Sequence, residues 1–308
     1  MSIERPEIPD AVRVGDATSP TMVTPNLLRS WPLPEPTGTK YSRGQCLVIG
    51  GDRSTPGAAM LAGEAALRVG SGRLTLAVAA SIAPHVAVAV PESGTIDLPD
   101  DDAGAVTGDG AGEVLERDLG RSDAVLLGPG IGSPEGAERL LAETIDALGD
   151  DVPLVLDAFG ATVLAQMSKA RLDALRGRLV LTPNQGELAY LIESDEVGDD
   201  DVLDATADTA ARYDAAVGCA NWVVSHGAVW QMTTGDTGLG TSGSGDVMAG
   251  AVAGLLSRGA GLAQALVWGK HVHAAAGDVL AAEHGRVGFL AGEIPPRLPM
   301  ALATLRGD

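Results

Sequence analysis

The strongest constraint on the fold is an alternation. Short apolar runs ending at or beside Gly, Pro or Asp are separated by stretches whose apolar residues recur every three or four positions. Residues 46–51 (CLVIGG), 74–79 (LTLAVA), 124–130 (AVLLGPG), 154–158 (LVLDA), 179–183 (LVLTP) and 222–227 (WVVSHG) read as strands. Residues 56–70, 133–148, 186–192 and 201–218 read as helices packed on them. This order gives an α/β fold with a mostly parallel sheet covered on both faces. Residues 228–236 (AVWQMTTGD) read as a hairpin partner of the last strand, and two Ala-rich helices, 246–259 and 262–285, follow. Strand C-termini then share one edge, where open α/β sheets bind ligands.

No internal Pro/Gly/Ser linker divides the 308 residues, so residues 41–308 read as one domain. Residues 1–40, with Pro6, Pro9, Pro20, Pro25, Pro32, Pro34 and Pro36, read as an arm on the surface or on a neighbouring subunit. Hydrophobic residues make up 45% but aromatics only 3%, so Ala, Val, Leu and Ile must fill the core, with Gly allowing close backbone approach. No apolar stretch is long enough for a membrane span and the Pro-rich start has no signal core, which predicts a cytoplasmic protein without a membrane partner. A net charge of −20, with three lysines, excludes nucleic acid as a partner. Cys46 and Cys219 lack metal-ligand spacing and read as buried free thiols.

The chemistry gathers where strands meet helices. Ser242, Gly243, Ser244 and Gly245 precede a helix, so successive N–H groups and the helix dipole can seat a phosphate. Asp246 follows in the first turn, either as a base taking a proton from a hydroxyl that attacks the phosphate, or as a helix cap. Gly128 to Gly132 (GPGIG) make either a second close approach to a phosphate or a tight turn, and residues 50–59 (GGDRSTPGAA) are a third glycine-rich junction; three along one chain favour a ligand with several phosphates. Asn184 and Glu187 stand three apart at a helix start, where they either orient Mg2+ through its waters or form a capping box. Asp157 ends a strand. His271 and His273, two apart on a helix, face different sides and make a poor metal pair.

The order of these motifs resembles the ribokinase-like superfamily, and more closely the ADP-dependent NAD(P)H-hydrate dehydratases. The likeness runs from about Gly44 to Leu290 and rests on GQCLVIGG, PGAAMLAGEAALRVGSGRLTLAV, VLLGPGIG, LVLDA, LTPNQGE and GSGDVMAGAVAGLLSRG. It implies a ribokinase-like three-layer α/β/α fold and a lyase that restores hydrated NADH or NADPH, using ADP with Mg2+ and releasing AMP and phosphate. Carried over by motif, Asp246 is the base and Gly243, Ser244 and Gly245 the phosphate seat. His226, Gly227, Ala228, Val229 and Trp230 line the AMP side, while Ala58, Gly130, Asn184 and Asp246 face the hydrated dinucleotide. The resemblance further implies a homo-oligomer, dimer or tetramer, and an epimerase on a separate chain. Where that family carries His-Pro, Lys-Gly and a second Asp, this sequence reads Asn184-Gln185, His226-Gly227 and Phe159. A kinase of a small alcohol and a non-catalytic nucleotide sensor share most of these motifs and stand as alternatives.

Overall fold

The computed structural model describes residues 8–13, 15–35 and 38–305, so Pro6 and Pro36 of the arm lie outside the described residues. Among the described residues ten strands form one sheet: β1 (Thr21–Val23), β2 (Gln45–Ile49), β3 (Arg73–Ala79), β4 (Ser93–Leu98), β5 (Ala124–Leu127), β6 (Leu154–Leu156), β7 (Leu179–Leu181), β8 (Ala215–Cys219), β9 (Trp222–Ser225) and β10 (Ala228–Met232). Their order is β1-β10-β9-β8-β7-β6-β5-β2-β3-β4. Every pairing is parallel except those of β9, which runs against β8 and β10. The inner strands β2, β5, β6 and β7 are buried along their whole length, as a sheet covered on both faces requires.

The helices are α1 (Pro25–Ser30), α2 (Pro56–Arg68), α3 (Ala83–Ala89), α4 (Ala111–Leu119), α5 (Pro134–Ala147), α6 (Ala158–Thr162), α7 (Lys169–Leu175), α8 (Gln185–Leu191), α9 (Val202–Tyr213), α10 (Ser244–Ser257), α11 (Leu262–His284) and α12 (Leu298–Leu305). Right-handed crossovers put the connection from β2 to β3 on one face and those from β5 through β8 on the other. The chain therefore winds in opposite senses from β2 and β5, which are neighbours, and the crevice at their C-terminal ends is the topological switch point. Helices α2, α10 and α11 pack together on the β2 face. Scarce aromatics leave α10 to bury all its sides with Ala, Val, Leu and Gly. At Gly250 a Cβ would meet the Ala62 carbonyl oxygen of α2 at 2.0 Å, so the two backbones touch.

Three strands were missed by the sequence pattern: β1, β4 and β8. Residues 201–218 are not one helix. Asp214 turns left-handed at φ 50° and ends α9, and the small residues of Ala215–Cys219 continue as β8. The surface-arm reading also gives way. β1 is an edge strand beside β10, and Val12, Val23 and Leu28 are fully buried. Trp31 stacks on Trp230 with ring centroids 5.8 Å apart, and the Trp230 indole N–H donates to the Val12 carbonyl at 2.8 Å. Trp31→Ala removes one face of this stack and is expected to cost about 3–5 kcal/mol, read as a lower denaturation midpoint; an unchanged midpoint would leave the arm without a structural role. Cys46 and Cys219 are buried and unpaired, with burial pushing their thiols up to about 12 and about 11. Among the described residues, no helix is long and apolar enough to cross a membrane.

Candidate active site

The start of α10 decides between the two readings of Asp246. Gly243 is the residue before the helix, and at φ +90° it adopts a conformation that side chains resist. It supplies no side-chain cap, and Asp246, in the first turn, makes no hydrogen bond to another described residue. The capping alternative is thereby removed. Ser244 is buried, and its Oγ lies 3.0 Å from His273 Nε2, which ties the turn to α11 rather than leaving the hydroxyl for a ligand. At Gly245 an added Cβ would meet nothing within 4 Å. No described residue demands glycine there, so the open space is left to whatever approaches the helix N-terminus.

Two cavities flank this turn. The first, about 750 Å3, brings together Ala58 at the start of α2, Gly130 after β5, Phe159 and Thr162 of α6, Glu187 and Tyr190 of α8, and Gly243 with Asp246. Together with the α10 start these are the C-terminal ends of β2, β5, β6 and β7, so five predicted site residues, Ala58, Gly130, Glu187, Gly243 and Asp246, share one crevice at the switch point. The glycine-rich junctions there hold each other more than they await a ligand. The Gly51 and Asp52 N–H groups donate to the Pro129 and Gly130 carbonyls at 2.8 and 2.9 Å, and the Asp52 carboxylate accepts from Gly132 and Val106. For Gly128 to Gly132 the tight-turn reading therefore prevails, and in both junctions the glycines allow close backbone packing and form a wall of the cavity.

The second cavity, about 330 Å3, lies on the other side of the turn and is lined by Ser244, Gly245, Ala220, Asn221, Thr234, Lys270 and His273 among others. Its position corrects the assignment of residues 226–230. Because β9 is antiparallel to β8, with Cys219 opposite Trp222 and Val217 opposite Val224, the His226-Gly227 turn lies at the N-terminal edge of the parallel strands. There the His226 ring stands 3.6 Å from Asp214, which precedes β8. The turn is thus a strand length away from the edge that carries Asp246. Ala228, Val229 and Trp230 are buried in strand β10, and the Trp230 side chain belongs to the arm contact. The residues that meet the cavity are instead the Ala220-Asn221 turn after β8 and the loop after β10. The signal was the five-residue apolar run 215–219, hidden by the helical period before it.

Three carboxyls converge beneath the first cavity. Burial, then repulsion from Glu187, pushes Asp246 up to about 6. Burial raises Asp157 to about 7, helped by Glu187 and, to a lesser extent, Asp246, while the Thr182 hydroxyl donates to it at 2.8 Å. Burial also raises Glu187. Asn184 and Glu187 do form the capping box: the Asn184 side chain accepts from the Glu187 N–H at 2.9 Å and the Glu187 carboxylate from the Asn184 N–H at 3.0 Å. The Asn184 side-chain carbonyl oxygen is taken by this cap and Asn184 is not among the residues lining the cavity, whereas Glu187 keeps one oxygen free of the cap and lines it. His271 and His273 point to different partners, Thr234 and Ser244, and no group of three His, Cys, Asp or Glu suited to a metal occurs among the described residues.

A switch-point crevice with a carboxyl at a glycine-turned helix start defines a protein of ribokinase-like fold. The crystal structure of Escherichia coli phosphofructokinase-2 in its tetrameric inhibited form superposes with a TM-score of 0.57 at 14% identity, over 84% of this chain and 99% of the enzyme. Nearer in shape is the ADP/ATP-dependent NAD(P)H-hydrate dehydratase of Bacillus subtilis, co-crystallized with ATP/Mg2+, at a TM-score of 0.74 and 22% identity over 94% of this chain and all of that one. The sequence profile of the NAD(P)H-hydrate dehydratase family matches residues 46–299. The ADP-dependent (S)-NAD(P)H-hydrate dehydratase of Xanthomonas campestris pv. campestris is 42% identical over 292 residues, covering 92% of this chain and 96% of the relative. The bifunctional NAD(P)H-hydrate repair enzyme Nnr of Moorella thermoacetica is 34% identical, and this chain spans about half of its length, 52%. The chain belongs to the NAD(P)H-hydrate dehydratase family.

Proposed function

We infer that the protein is a hydro-lyase that returns the S epimer of hydrated NADH or NADPH to the intact dinucleotide at the expense of ADP. The observation that carries this reading is the placement of the α10 start between two cavities, with Asp246 facing the larger and Gly245 the smaller. The larger cavity suits the hydrated nicotinamide end, the smaller one the AMP part of the nucleotide. Asp246 takes the proton of the ring hydroxyl. That oxygen attacks the terminal phosphorus of ADP, and the bond to the inner phosphate breaks, releasing AMP. The ring carbon–oxygen bond then breaks with phosphate as leaving group, while loss of a proton from the neighbouring ring carbon restores the double bond. A hydroxide, which leaves poorly, has become phosphate. The unpaired N–H groups at the α10 start offset the charge gathering on the transferred group.

Magnesium fits the crevice by its donor chemistry. Glu187 presents a carboxylate oxygen, with Asp157 behind it, and burial without a cationic partner disfavours the charge of both. A divalent ion held through water on Glu187 would relieve that and screen the phosphates. The opposite ring epimer requires an epimerase activity acting alongside, and we take a homo-oligomer in the cytoplasm as the working form.

The reading is tested by adding ADP to hydrated NADH and following the NADH absorbance, with ATP in a parallel run. Recovery with one AMP and one phosphate per NADH is the expected outcome; ADP binding without recovery would return the chain to a nucleotide sensor, and phosphorylation of another alcohol to a kinase. A pH profile adds a second check. The base works deprotonated and its group is raised to about 6, so kcat is expected to fall about tenfold per unit below that pH and to level off above it. A flat profile between pH 5 and pH 7, values set about one unit either side of that figure, would rule Asp246 out as the titrating base.

A further inference from the structure

The two cavities must together accept ligands rich in phosphate, yet among their described lining residues there is one cation, Lys270. The chain has three lysines and a net charge of −20, so cations are scarce. Lys40 lies over the Tyr41 ring and Lys169 pairs with Asp173. Lys270, in the middle of α11, forms no ion pair and no hydrogen bond with a described residue. Its stem crosses Gly218 of β8, where an added Cβ would meet the Lys270 Cδ at 3.1 Å. One helical turn on, His273 holds Ser244 at the start of α10. The lysine therefore lines the smaller cavity together with the glycine turn, and Gly218 leaves room for its stem.

Burial of an unpaired ammonium is costly. Here it pushes the group down to about 8, with Cys219 as the one neighbour acting against that. A helix position of this kind is otherwise filled by an apolar residue, as at Leu266 and Ala274 on the same helix. An anion entering the cavity would offset that cost.

We propose that Lys270 is a nucleotide-binding residue whose ammonium contacts the diphosphate of ADP together with the N–H groups of the α10 start. This deepens the reading of the smaller cavity as the nucleotide site and rests on it. The diphosphate is then held between a helix N-terminus and a lysine delivered by a neighbouring helix, and the charge comes with no strand-end cation.

The test compares Lys270→Met with the parent by calorimetric titration of ADP and of adenosine, each with excess Mg2+. Methionine keeps the stem's volume over Gly218 and removes the charge. Expected is a Kd for ADP about ten- to a hundredfold higher, the loss of one charge-assisted contact, with adenosine affinity unchanged. Equal ADP affinity in the two proteins would overturn the proposal while leaving the nucleotide site intact. Equal losses for ADP and adenosine would also overturn it, since the lysine would then serve the base or the cavity's shape. If the parent binds neither molecule, the nucleotide reading itself fails. Lys270→Arg, which keeps the charge, is expected to retain a larger share of the ADP affinity than Lys270→Met, and a thermal melt of each variant separates lost binding from lost folding.

Discussion

Asp246→Asn is expected to lower kcat by roughly a hundred- to ten-thousandfold while ADP still binds with the parent's affinity. Asparagine keeps the shape of the side chain and its place in the first turn of α10, but has no lone pair basic enough to take the hydroxyl proton. The carboxyl makes no cap and no hydrogen bond to another described residue, so its loss is a loss of chemistry rather than of architecture. The same substitution carries a stability signature. Folding raises this group from its ordinary 3.8 to about 6, so between those values the folded chain holds a proton that the unfolded chain releases. Stability therefore falls as pH rises from about 4 through about 6. At pH 8, a condition chosen well above that group, the variant is expected to melt above the parent, with the gap closing near pH 4. An unchanged turnover would refute the base, and a lower melting point at pH 8 would show that the carboxylate has a partner.

The second large effect is expected at Gly245→Val. Two readouts should part company there. Because an added Cβ meets no protein atom, and because valine costs a helix no more than glycine does, stability should stay within about 0.5 kcal/mol of the parent. ADP affinity should fall by about a hundredfold or more, the loss of two charge-assisted N–H contacts once a branched side chain fills the approach. Gly243→Val makes the contrast. Its φ of +90° and the Leu61 Cδ1 that a Cβ would meet at 2.7 Å make that glycine a requirement of the fold, so this variant is expected to lose stability along with binding. A Gly245→Val protein with the parent's ADP affinity would move the phosphate seat elsewhere.

The strands that carry the first cavity were legible because each is a buried parallel strand, apolar throughout and closed by Gly, Pro or Asp. Gly130 and Ala58 lie at junctions these strands set, though their substrate-facing role came from the family resemblance, and Asp246 and Gly243 followed from the glycine-rich start of α10. The position of residues 226–230 was read wrongly for an equally physical reason. Residues 215–219 are small and continue the helical period of α9, so the strand there was absorbed into the helix, and the next strand inherited its role. An antiparallel strand reverses which end faces the site, and that single slip carried His226 and Gly227 to the far edge. Lys270 gave no local signal, and His273 stood out only as half of a poor metal pair. They lie mid-helix, and only the packing of α11 against β8 and α10 brings them to the cavity. Asn184 and Glu187 show a third limit: a capping box and a metal ligand share one spacing, and the geometry gives Asn184 to the cap while leaving Glu187 facing the crevice.

The central claim is that the ring oxygen of the hydrated dinucleotide leaves bound to phosphorus, having been activated at Asp246. It is tested most directly with (S)-hydrated NADH carrying heavy oxygen in the ring hydroxyl, turned over with ADP, and mass spectrometry of the products. The label should appear in inorganic phosphate, one atom per NADH recovered. Label released to water, with unlabelled phosphate, would mean that hydroxide departs directly and that no phosphoryl group ever passes to the ring.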